Sequence, residues 1–109
     1  TDRRELGFSL GAADWLVKER RVAGLGTDTL SADAGAATGP VVASTGTFVA
    51  NSAEFPVHHL MNDRGKILLE NLTGLENVPA RDFWVVIGAL KVGGGTGAPA
   101  RILALIPKP

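Results

Sequence analysis

The chain has 109 residues, enough for one small domain at most. Its 45% apolar content argues against disorder, and 11 basic against 11 acidic side chains leave no electrostatic case for nucleic acid or an anionic membrane. Cysteine is absent, which excludes disulfides and thiolate metal sites and confines any transition-metal site to His and carboxylates.

Ser9 is placed to cap a helix running to about Arg21, with Leu10, Ala13, Leu16 and Val17 as its apolar stripe. Asp14 lies early in it and Lys18, Arg20 and Arg21 late, as the helix dipole favours, and Gly24 follows as a stop. Leu25 to Leu30 reads as a short strand containing Asp28. Ser31 to Glu54 is rich in Ala, Gly, Ser and Thr; residues 33–51 are expected to form a long loop, with a short strand at Thr47 to Ala50.

Phe55-Pro56 starts a second, short helix, since Pro suits a first turn, and Gly65 ends it. Lys66 to Glu70 is a strand, which the turn at Gly65 is expected to set antiparallel to the short helix. Asn71 to Pro79 is a connector with one helical turn. Phe83 to Leu90 is apolar throughout, the pattern of a strand buried on both faces, and Trp15 and Trp84 read as core. Lys91 to Pro99 is a Gly-rich turn and Arg101 to Ile106 a closing strand that pairs locally with its predecessor. The order gives an α/β or α+β fold in a single domain segment spanning residues 1–109.

The chemistry-bearing residues are few. His58 and His59 are the only histidines, and neighbours on a helix point about 100° apart, so one ion rarely takes both. Glu70 closes an otherwise apolar strand, where an unpaired carboxylate is costly, so His58 and Glu70 form the candidate pair for Zn²⁺ or Mn²⁺. The structural alternative is a surface His pair and a Glu paired with a nearby cation. Asp28 and Asp33 are weaker candidates, read first as turn caps. Gly93-Gly94-Gly95-Thr96-Gly97-Ala98 matches a dinucleotide fingerprint in form, but Pro99 and a strand follow where a helix is required, so a hairpin turn with positive φ is expected instead.

Several stretches, in order, resemble the cyclase family of metal-dependent hydrolases, of the kynurenine formamidase and isatin hydrolase type. They are Gly26-Thr27-Asp28-Thr29-Leu30-Ser31-Ala32-Asp33, then Pro56-Val57-His58 with Glu70-Asn71-Leu72, then Lys91 through Gly93-Gly94 to Pro99 and Arg101. His58 and Glu70 keep the family's twelve-residue spacing. The resemblance covers nearly the whole chain except the loop from Asp33 to Asn51. It implies the C-terminal half of a swivelling β/β/α layered-sheet domain. It also implies metal-assisted hydrolysis of an amide or related carbonyl compound, with His58 and Glu70 as ligands of Zn²⁺ or Mn²⁺. His59 and Asp28 would be neighbours of the metal or contacts of the substrate, His59 being read as exposed.

The family's His-x-Gly-Thr-His-x-Asp motif, with its further His, is not in this chain. The resemblance therefore implies a companion N-terminal half or chain that carries the other ligands, and an isolated chain that is inactive. The chain opens on Thr1 rather than methionine, which fits processing or cleavage. The expected partners are a small-molecule substrate and that companion, within a homo-oligomer, with no nucleic acid and no membrane. No signal sequence or membrane-length apolar run stands out, so the cytoplasm is the expected compartment. The rival expectation is a non-catalytic scaffold or assembly module derived from the same family.

Overall fold

The structure, a computed structural model, describes residues 6–34, 41–42, 48–49 and 55–108. The described residues form helices and three two-stranded sheets, and the chain divides into two compact units, Thr1–Thr73 and Gly74–Pro109. Among the described residues no helix is long and apolar enough to cross a membrane.

In the first unit, helix α1 spans Leu10–Glu19. The Ser9 side chain accepts from the Ala12 N–H at 3.2 Å, satisfying one of the donors a helix start leaves free, a contact worth about 1 kcal/mol. Ala13 and Val17 are buried from its apolar stripe, and Asp14 pairs with Lys18 one turn on at 2.6 Å. Trp15 is not core: it is half exposed, with the Arg20 guanidinium 5.6 Å from its ring centroid.

Strand β1 is Gly24–Gly26, shorter than the stretch from Leu25 to Leu30 predicts, and Gly24 opens it rather than only stopping the helix. Local side-chain bonds explain where it ends. The Thr29 hydroxyl donates to the Ser31 carbonyl at 2.6 Å. Its single proton being used there, the Thr27 hydroxyl must donate to Thr29 Oγ1, also at 2.6 Å, while Thr27 Oγ1 accepts the Thr29 N–H at 3.1 Å. These bonds, made by two buried threonines, bend a chain that would otherwise extend.

Strands β2, Val41–Val42, and β3, Phe48–Val49, form an antiparallel pair inside the stretch expected to be a loop. The rest of that expected loop, from residue 35 on, lies outside the described residues. Helix α2 spans Pro56–Asp63 with Pro in its first turn, and Gly65 follows with φ 61°. Strand β4, Ile67–Leu69, then pairs with β1, and it does so parallel. Their approach is close: a Cβ on Gly24 would lie 2.6 Å from the Ile67 carbonyl oxygen. The core joins Ala13 and Val17 of α1, Leu25, Ala32, and Val57 and Met61 of α2.

In the second unit, a 3₁₀ turn at Leu75–Asn77 precedes a hairpin of β5, Trp84–Ala89, and β6, Ala100–Leu105. The register runs from Trp84 opposite Leu105 to Ala89 opposite Ala100. The Gly-rich segment is the hairpin connection, with Gly94 at φ 70°, and no helix follows it, so the dinucleotide reading falls. The expectation that this strand is buried on both faces is not met. Every residue of β5 is exposed, and Trp84, also expected in the core, is 76% exposed.

Candidate functional site

The site begins with a helix that lacks a cap of its own. Phe55 precedes α2 and offers no side-chain oxygen, so the free N–H groups of its first turn need an acceptor from elsewhere. Asp33 supplies it from across the unit. Its Oδ1 accepts from the Val57 N–H at 2.5 Å and its Oδ2 from the His58 N–H at 3.2 Å. A carboxylate at a helix N-terminus is also favoured by the helix dipole. The same Oδ2 lies 2.6 Å from Nδ1 of the His58 ring. Asp33 is therefore no simple turn cap: it is 3% exposed and binds three donors of α2.

Glu70 stands directly after β4, outside the carboxyl end of the parallel pair, the end at which open α/β sheets place their sites. Its Oε1 accepts from the Ala32 N–H at 2.7 Å and lies 3.3 Å from His58 Nε2. His58 thus sits between two carboxylates, Asp33 at Nδ1 and Glu70 at Nε2. The Phe55 ring meets the imidazole edge-on, with centroids 5.5 Å apart. His58 and Glu70 keep 31% and 28% side-chain exposure, so a small solute can reach them.

The donor set suits a divalent cation. An imidazole nitrogen and a carboxylate oxygen are the ligands Zn²⁺ and Mn²⁺ share. Metal bonds of about 2.0–2.2 Å at tetrahedral angles set neighbouring donors about 3.3–3.6 Å apart, and the Nε2 to Oε1 separation of 3.3 Å falls in that span. Two donors do not fill a metal shell, however. Among the described residues, no group of three or more His, Cys, Asp or Glu side chains is placed to hold one ion.

The weaker candidates stand apart. His59 is exposed. Asp28 is exposed between the two buried threonines, and no hydrogen bond or ion pair joins it to His58 or Glu70. Asp33 is the residue that local sequence reasoning undervalues. The signal that could have found it is the apolar Phe55-Pro56 start of α2, a helix with no cap of its own.

No protein-family model matches the chain. It is 32% identical over 89 residues to isatin hydrolase from Roseibium aggregatum, a match covering 82% of this chain and 30% of that protein. Among solved structures it resembles isatin hydrolase A from Ralstonia solanacearum, with a TM-score of 0.75 and 33% identity over 93% of this chain and 34% of that one. It also resembles an isatin hydrolase bound to the product analogue thioisatinate, with a TM-score of 0.74 and 30% identity over 94% of this chain and 34% of that one. The chain thus spans about a third of the length of the relatives it matches.

Proposed function

We propose, from the premise that this chain is homologous to a segment of the cyclase-family isatin hydrolases, that it forms part of a metal-dependent hydrolase acting on an amide. The observation that carries the reading is the His58 Nε2 to Glu70 Oε1 pair, 3.3 Å apart at the end of a parallel strand pair. His58 and Glu70 would hold Zn²⁺ or Mn²⁺. When bound, such an ion lowers the pKa of a water and polarises a carbonyl. A cyclic amide of the isatin kind is the substrate class, by analogy with the relatives' names. The edge-on Phe55 ring gives the imidazole an apolar flank and restricts its rotation.

Catalytic zinc takes about three protein ligands and keeps one position open, so a companion polypeptide segment is proposed to supply the rest. The exposed apolar hairpin supports the same idea: Val85, Val86, Ile87, Leu103 and Leu105 are all exposed large hydrophobics, fit for burial against another layer. A homo-oligomer in the cytoplasm is the proposed setting.

One observation favours the rival reading, a non-catalytic scaffold: the described residues supply a pair of donors and no third. The two readings separate in one experiment on the protein isolated under non-denaturing conditions with whatever polypeptides accompany it. Metal content and isatin hydrolysis are measured before chelation, after it, and after adding back Zn²⁺ or Mn²⁺. Turnover that disappears with the metal and returns with it supports the hydrolase. A preparation with neither metal nor turnover, before or after add-back, supports the scaffold.

A further inference from the structure

We infer that Asp33 is a positioning residue for the His58–Glu70 pair, and that the dipeptide Ala32-Asp33 is the template that sets the distance between the two donors. The inference rests on the metal reading for its consequence, but its geometry is independent of it. Two residues adjacent in the chain each hold one donor. The Ala32 N–H binds Glu70 Oε1 at 2.7 Å, and the Asp33 carboxylate binds His58 Nδ1 at 2.6 Å. The separation of His58 and Glu70, twelve residues apart in sequence, is thereby set by two adjacent residues elsewhere in the fold.

That template is itself held from behind. The Phe8 N–H donates to the Ala32 carbonyl at 2.8 Å, and Phe8 forms a parallel bridge with Asp33. The fit is tight enough that a Cβ on Gly7 would come within 2.4 Å of the Asp33 carbonyl carbon and the Ala34 nitrogen. The backbone donors of Val57 and His58 then fix the plane of the carboxylate, so it has no freedom to swing away from the ring.

The chemical consequence is a choice of tautomer. Both carboxylates accept when ionised, so the closer one decides: Nδ1, 2.6 Å from Asp33, carries the proton of a neutral ring in preference to Nε2, 3.3 Å from Glu70. In a neutral imidazole the lone pair is then on Nε2, the atom facing Glu70. Asp33 touches the opposite side of the ring, so it cannot bind an ion held at Nε2; it acts through His58. A carboxylate in this position orients a metal-binding imidazole and raises its basicity, and its loss typically weakens metal binding about 10–100-fold.

The test uses the whole protein with ¹⁵N-labelled histidine, His59→Gln serving to assign the signals. In metal-free protein at alkaline pH, His58 is expected to show a protonated Nδ1 and an unprotonated Nε2. A wild-type ring protonated at Nε2 overturns the proposal without any variant. In Asp33→Asn the amide can turn its NH₂ to Nδ1, and the tautomer is expected to shift toward protonated Nε2 while Zn²⁺ affinity falls about 10–100-fold. Wild-type tautomer and Zn²⁺ affinity in a folded Asp33→Asn, with binding lost in His58→Ala, would overturn the role of Asp33 and leave the metal reading standing. Unchanged Zn²⁺ binding in His58→Ala would sink the metal reading instead, and the tautomer would still decide how Asp33 acts on the ring.

Discussion

Replacing His58 by Ala is expected to lower metal occupancy and turnover together in the assembled protein. The loss should exceed the roughly 10–100-fold expected when a ligand's hydrogen-bonded neighbour is removed. The imidazole is the only nitrogen donor of the pair, and Nε2 is the atom that faces Glu70 at 3.3 Å. Glu70→Ala is expected to do the same, with the added effect of freeing the Ala32 N–H that Glu70 now binds. Because both side chains would serve one ion, the double variant should be little worse than the more damaging single one, as residues acting as a unit behave. Metal analysis beside initial rates checks this. Wild-type turnover in either single variant would remove that residue from the site.

The second large effect is on stability. Met61 is fully buried, in a core with Ala13, Val17, Leu25, Ala32 and Val57. Truncating such a side chain removes its apolar contacts and leaves a cavity, at a cost of about 2–5 kcal/mol. Met61→Ala should therefore shift the denaturant midpoint strongly without changing the slope. The site should loosen with the fold. Val57 and Ala32 are core residues, and each adjoins a residue of the site, His58 and Asp33 respectively. A midpoint within experimental error of wild type would mean that α2 is not anchored through Met61.

Local signals carried most of the elements. The Ser9 cap, the stripe of Ala13 and Val17, the Phe55-Pro56 start and the positive φ of Gly65 are all short-range features, and the helices lie where these place them. The hairpin is equally local, with its turn marked by glycines. What the sequence left open or misplaced depends on hydrogen-bond partners that a pattern of residue types does not show. The strand before Glu70 pairs parallel with Gly24–Gly26 across more than forty residues of chain, a choice that no local pattern encodes. The stretch from Thr27 to Leu30 alternates like a strand, yet hydroxyl bonds among Thr27, Thr29 and Ser31 bend it.

The site was legible in part for the same reason. The pairing of His58 with Glu70 rests on residue type and on a family spacing, both visible in the sequence. Asp33 lies 24 and 25 residues before the backbone donors that it binds, so local reasoning left it as a turn residue. The apolar run of β5 predicts burial on both faces; in the structure its residues are exposed.

The most direct measurement is a crystal structure of the intact protein grown with Mn²⁺ or Zn²⁺, with anomalous scattering recorded on both sides of the metal absorption edge. An ion bonded to His58 Nε2 and to a Glu70 carboxylate oxygen, with Asp33 still on Nδ1, is the expected result. A metal-free His58–Glu70 pair, with the ion bound elsewhere in the same crystal, would contradict the assignment of these two residues as its ligands.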